Sequence, residues 1–357
     1  MIASGPHAPP ERERGYSLLE ILIALGIGLL VITGMLKILS GTNQTYRLNS
    51  NLSRIQENAR FAIELLTRES RMAGYWGCTS DVAPHNALVT PNSYSWAFND
   101  RIRGFDNSDH ASWPATFQSA ALPGTDALVI SGIDATAHTV EYHLPCDSRF
   151  KIAQSHDLAS NEVAFVTDCV QGAIFQITAA STSDRTLTHD SGTGTIGNST
   201  PCLDGNCGGA CATSWYAYPP GSLLARIRAM AFFIGTGANG EPALFWELLN
   251  RGATTTRAEL VNGVENLQIL YGRDTDADRV ANQYLTASAV EAAGAWGEIV
   301  QLRIALLLRS VDNVRSAPDT NTYTLAETPV AATGTTVTHP ADYRLRKMAT
   351  TTIQLRN

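Results

Sequence analysis

An apolar run near the N-terminus, interrupted by one carboxylate, constrains this chain more than any other feature. From Ile21 to Leu36 no residue is charged, and with Tyr16 to Leu19 the run reaches about 21 residues, roughly 31 Å as a helix. That is long enough to span a bilayer, with Glu20 as the single charge inside it. A lone intramembrane carboxylate costs several kcal/mol, so it calls for a partner. A secretory signal peptide would place a small-residue cleavage site after its apolar core, and none follows here. Instead Leu48, Leu52, Ile55, Ala59, Ala62 and Leu66 continue one apolar stripe at alternating spacings of four and three. The spacing predicts an unbroken helix that runs from membrane into water and stops near Gly74, after Arg68 and Arg71 in its last turns.

Beyond that helix the composition is that of a folded domain. With 357 residues, 44% hydrophobic and 17% charged, the chain can bury a substantial core, which argues against disorder. A net charge of -7 and a pI near 5.6 argue against nucleic acid as a partner, because neutralising phosphates takes an excess of Lys and Arg. The 6 cysteines are Cys78, Cys146, Cys169, Cys202, Cys207 and Cys211, all beyond the apolar run. As disulfide candidates they place that part of the chain in an oxidising compartment.

Short β-rich runs bounded by turn residues fill the rest: "DALVISGID", "HTVEYHL", "NEVAFVTDC" and "AIFQITAAS", then a hairpin from "RIRAMAFFIGT" through "GANGE" to "PALFWEL". "ENLQILYG", "EIVQLRIALLLRS" and "TTTIQLRN" complete the set. Helix first and antiparallel sheet after is an α+β pattern.

Gly15 followed by Tyr16-Ser17-Leu18-Leu19-Glu20 resembles the processing site of type IV prepilins, in which a glutamate stands at the fifth position after the cut. Tyr stands here where Phe is commoner in the family, and the leader's Arg12 and Arg14 are offset by Glu11 and Glu13. "RMAGYWGC", "VTDC" with "AIFQIT", "LVNGVENLQILYGRDTDAD", "WGEIVQLRIALLLRS" and "TTTIQLRN" extend the likeness. Together they resemble the PilW family of type IV pilus minor pilins, from Gly15 to Asn357.

The resemblance implies a leader over 1–15, cut between Gly15 and Tyr16 by prepilin peptidase, which also methylates the new amine. It implies a helix over 16–72, transmembrane to about 39 and amphipathic from about 40, and a periplasmic pilin-like domain over 73–357 with large loop insertions. Glu20 would pair with the Tyr16 amine of a neighbouring subunit. The implied role is a subunit of a tip complex that primes pilus assembly. Its partners would be the other minor pilins and the major pilin, and it would reside in the inner membrane before assembly. The alternative is the J-type minor pseudopilin of type II secretion, which shares the "LVNGVENL" style of segment.

Other clusters read more plainly. Cys202, Cys207 and Cys211 in "PCLDGNCGGAC" lack a C-x2-C knuckle and a nearby histidine, so disulfides are expected rather than zinc. A local bond in this cluster would leave its third cysteine to pair at long range. Asp274, Asp276 and Asp278 alternate as at the start of a calcium loop, but Arg279 and Leu285 stand where an EF-hand needs Gly and Glu. The preferred reading is a solvated acidic turn, with calcium the weaker one. Gly192, Gly194 and Gly197 match G-x-G-x-x-G only by accident, since Pro201 follows rather than a helix. No G-x-S-x-G, H-E-x-x-H or Walker loop organises the 8 histidines, and no enzyme or cofactor is expected.

Overall fold

The computed structural model describes residues 16–78, 84–89, 100–107, 113–192, 196–205, 211–248, 256–326 and 334–355. The predicted helix, α1, runs without a break from Leu18 to Arg71, 54 residues and about 80 Å. Its two halves meet different surroundings. Every large apolar side chain from Leu18 to Leu39 is at least half exposed, whereas Ile55, Ala59, Ala62 and Leu66 of the predicted stripe are buried. The hydroxyls of Thr33 and Thr45 donate to the carbonyls of Leu29 (2.7 Å) and Gly41 (2.9 Å), so these polar groups are satisfied within the helix. After Met72 the chain turns at Gly74, whose φ of +71° suits a glycine, and its N–H donates to Ser131 O at 2.8 Å.

Nine longer strands carry the domain: β1 (Ala127–Leu144), β2 (Val163–Thr167), β3 (Gly172–Gln176), β4 (Leu223–Thr236), β5 (Pro242–Leu248), β6 (Thr256–Asn262), β7 (Val264–Arg273), β8 (Ile299–Asn313) and β9 (Arg344–Gln354). They form two main sheets. In the larger, β3, β2, β4 and β1 are consecutive neighbours, and β5 pairs with both β4 and β6. In the smaller, β7, β8 and β9 pair in that order, with Ile269 opposite Ile304 and Ile304 opposite Thr351.

The helix packs on β9, β8 and β6. Ile55, Ala59, Ala62 and Leu66 join Leu267, Ile269, Ile304, Leu306 and Ile353 in one core, where the small side chains at 59 and 62 admit close approach of helix to sheet. Polar contacts fix the seam: Asn58 Nδ2 donates to Asn262 O at 3.0 Å, and buried Glu69 pairs with Arg228 of β4 at 3.1 Å.

Several expectations change in detail. "DALVISGID" and "HTVEYHL" are one strand, β1, because a register shift between Ile133 and Ala137 absorbs the polar residues between them. "AIFQITAAS" divides into β3 and a separate short strand, Ala179–Ser181. Pairing is not wholly antiparallel, since His85–Asn86 runs parallel to β3. Much of the length expected to be inserted loops is the larger sheet itself, whose strands reach both sides of the 200s segment. A short helix, α2 (Ala287–Ala293), was not expected; Thr286 caps its start, and Gly294 with φ +60° ends it.

Candidate functional site

The helix N-terminus is where the sequence placed processing and assembly. Gly15 and the leader lie outside the described residues; Tyr16 is 83% exposed. Ser17 has extended backbone and is the N-cap of α1. Its Oγ accepts from Glu20 N at 3.2 Å, while Glu20 Oε2 accepts from Ser17 N at 3.3 Å. This reciprocal pair is a capping box, which satisfies two of the main-chain donors that a helix start leaves open. The carboxylate also sits at the positive end of the helix dipole. Sequence reasoning gave Glu20 an intermolecular partner only. The signal it passed over was S-x-x-E, with serine three residues before the glutamate.

The cysteines divide as follows. Cys78 bonds Cys169 and Cys146 bonds Cys211, across 91 and 65 residues. The first ties the segment just past the helix to the turn between β2 and β3. There Thr167 Oγ1 accepts from Cys169 N, and Asp168 Oδ1 from the N–H of Val170 and Gln171. Burial works against ionising Asp168, but these bonds and one from the Tyr216 hydroxyl win and hold its pKa below the usual range. Cys211 is the long-range member of the 202–211 cluster. Cys202 is buried with its Sγ 2.8 Å from Asp204 Oδ1, and Cys207 lies outside the described residues.

The three aspartates do come together: oxygens of Asp274, Asp276 and Asp278 lie within 4.8 Å of one another. Asp274 is already engaged, accepting from the N–H of Asp276 (3.1 Å), Ala277 (2.8 Å) and Arg279 (2.8 Å). Asn282 Oδ1 accepts from Thr275 N at 2.9 Å, so the turn is folded by its own side chains.

Two further polar groupings were not anticipated. A cleft of about 460 Å³ is lined by Asp106, Asp126 and Gln268 among others. Asp126 is pushed up to about 7 by burial, yet both its oxygens accept main-chain N–H, from Asn107 and Ile269. Asp106 accepts from the N–H of Ala287 (2.8 Å) and Ser288 (2.7 Å) at the start of α2. Asp126 ties the start of β1 to β7, and Asp106, after Phe105, ties its segment to α2, because each spends its lone pairs on backbone donors. Deeper in the larger sheet, the buried His143 and His189 meet Nε2 to Nε2 at 3.0 Å, beside Phe150, whose ring stacks on His143 with centroids 4.0 Å apart. Burial lowers His143 to about 3, helped by His189, and lowers His189 to about 4.

Comparison with known proteins bears on the two ends of the chain. Residues 11–36 match the prokaryotic N-terminal methylation motif, and residues 231–357 match the model of the type IV pilus-assembly protein W family, PilW. No curated protein matches. A type IV-like pilin from Thermus thermophilus is similar in solved structures at 14% identity, over 57% of this chain and 87% of its own, but its TM-score of 0.24 carries no argument. With the motif at the start of an exposed apolar helix and the PilW region forming the sheet on which that helix packs, the chain carries a prepilin-type N-terminus and a PilW-type C-terminal domain.

Proposed function

We propose that this protein is a minor pilin which, once processed, helps prime assembly of the type IV pilus as part of a tip complex. The observation that carries the reading is the union in one chain of a methylation-motif helix, exposed over its apolar half, with a PilW-type sheet at its other half. An exposed apolar span of this length is costly in water, so it rests in a membrane before assembly and among other apolar helices afterwards. The leader over 1–15 stays on the cytoplasmic side, and the domain beyond about residue 73 is periplasmic, where its disulfides are stable. Prepilin peptidase cuts between Gly15 and Tyr16. Glu20 then faces the methylated amine of Tyr16 on a neighbouring subunit, and the major pilin and other minor pilins are the partners.

The role is structural rather than catalytic. Mass spectrometry of pili sheared from cells tests it, with peptides of this chain expected at low abundance. Their absence from pili, with retention of the protein in a secretion apparatus, would favour the J-type pseudopilin reading instead. Processing is tested by Gly15→Val, because the peptidase must accommodate a small residue before the cut. The variant is expected as a full-length band held in the membrane, and a mature-size band in it overturns the assigned site.

A further inference from the structure

Where the helix leaves its apolar half, a groove of about 520 Å³ opens between α1 and the chain just after β8. Its lining changes character along the helix axis. Leu36 and Leu39 lie at one end, Asn43 in the middle, and Arg47 at the other end, with Val314 and Arg315 forming the opposite wall. A phospholipid has the same order: acyl chains, then glycerol esters, then phosphate.

The depth also fits. From Leu18 to Leu39 the helix rises about 31 Å, the thickness of the hydrocarbon layer. Arg47 is about 12 Å further on, and a helical side chain leans toward the N-terminus, so its guanidinium reaches back toward the phosphate layer. Arg47 is exposed, and among the described residues no carboxylate pairs with it. Arg315 is partly exposed and gives one N–H to Asp319 at 3.0 Å, which leaves the rest of its fork for another acceptor.

We propose that this groove seats one phospholipid of the outer leaflet, with its acyl chains along Leu36 and Leu39 and its phosphate between Arg47 and Arg315. The inference rests on the membrane residence proposed above. A seated lipid joins helix and domain at the membrane surface and sets the tilt at which the domain is presented. Incorporation into a filament must strip the lipid away.

The test uses the full-length protein purified in detergent, delipidated and titrated with dioleoyl phosphatidylglycerol under native mass spectrometry. One lipid is expected to be retained. Losing a basic residue at an anionic headgroup weakens binding about 5-fold, so Arg47→Gln should show that loss and Arg47→Gln with Arg315→Gln about 30-fold. Arg60→Gln, exposed on the same helix, should bind as wild type. Millimolar glycerol phosphate should not displace the lipid. Binding unchanged in the Arg47→Gln protein overturns the proposal, as does equal loss in Arg60→Gln. Displacement by glycerol phosphate reduces the groove to a free phosphate site, and no retained lipid leaves it as a contact for a neighbouring subunit. Since this readout needs no pili, lipid binding by a protein absent from pili refutes the assembly role alone. A lipid-blind protein found in pili refutes the groove alone.

Discussion

Glu20 has one role in the structure and a second proposed for it, and a single substitution can separate them. As the third helical residue it closes the capping box on Ser17, and as a charge it is available to an amine. Glu20→Ala removes both, with about 1 kcal/mol lost from the helix end. Glu20→Gln keeps a side chain that can reach back to Ser17 N while removing the charge. Both variants should be cleaved and remain in the membrane, yet both should be missing from sheared pili, because an unpaired buried amine costs about 3–5 kcal/mol. Recovery of Glu20→Gln in pili at wild-type levels, with Glu20→Ala excluded, would show that the cap and not the charge is what assembly needs.

The histidine pair makes a different prediction at the same scale. Folding depresses both pKa values below the ordinary 6.5, so the unfolded chain binds protons that the folded one refuses. Their contribution is therefore complete above pH 6.5 and is lost as pH falls toward about 4, by up to about 1.4 kcal/mol per pH unit for each histidine. The urea midpoint of the domain beyond the helix should fall between pH 7 and 5 against the opposing effect of Asp126, whose raised carboxyl takes up a proton in the folded state over the same interval, and His143→Gln with His189→Gln should remove most of that fall, leaving the smaller contributions of His85 and His156. Carboxylates held below their usual range, such as Glu241 beside Arg344 and Arg309, act only at lower pH. A double variant whose midpoint falls as steeply as that of the wild type would show that the pair does not carry the effect.

At the scale of elements, the seam between α1 and the smaller sheet carries the fold. Leu66 is fully buried in the core shared with Ile304 and Ile353, so Leu66→Ala should cost about 2–5 kcal/mol, read as a drop in melting temperature. Phe61 on the opposite face is 51% exposed, and Phe61→Ala should change stability by less than about 0.5 kcal/mol. This seam was legible in the sequence, because a stripe at spacings of four and three has no other use than burial against a surface. The hairpin of β4 and β5 was legible too, as two apolar runs around Gly-Ala-Asn-Gly.

What stayed hidden was hidden for physical reasons. β1 looked like two strands because Asp134 to Thr136 sit in a bulge, and a bulge breaks alternation without breaking the strand. β6, with Arg257 and Glu259 along its length, has too few apolar residues to announce itself; it is a strand because β5 pairs with it. The histidine pair joins residues 46 apart in sequence, and Asp106 reaches the start of α2 across 181. Local patterns carry no trace of such contacts, whereas the capping box at Ser17 was local and could have been read.

In the whole molecule, the two matched stretches bracket the helix and the sheet that holds it, and the larger sheet stands between them in sequence. β4 joins these regions: its first half pairs with β2, and the second half, paired with β5, lies within the PilW match. Both disulfides lie on the far side of that strand from the PilW region. In the chain-entropy account, loops of 91 and 65 residues give each bridge roughly 4–5 kcal/mol, so reduction should destabilise the larger sheet first. Protein purified without reductant should carry no reactive thiol, a count that titration with a chromogenic disulfide measures directly.

The Cys78 to Cys169 bridge also has a mechanical meaning. A subunit drawn out of a membrane is hauled by its helix, and tension leaving Met72 reaches a covalent shortcut only six residues later. Load then passes straight to the turn between β2 and β3, and the 91-residue loop between the two cysteines bears none of it along its backbone. Stretched between its ends in an optical trap, the oxidised protein should extend at least about 300 Å less than the reduced one. The strand that receives that load first is β3, which follows Cys169 and is hydrogen-bonded along both edges, to β2 and to His85–Asn86, so the pull meets a strand held from two sides rather than a free end.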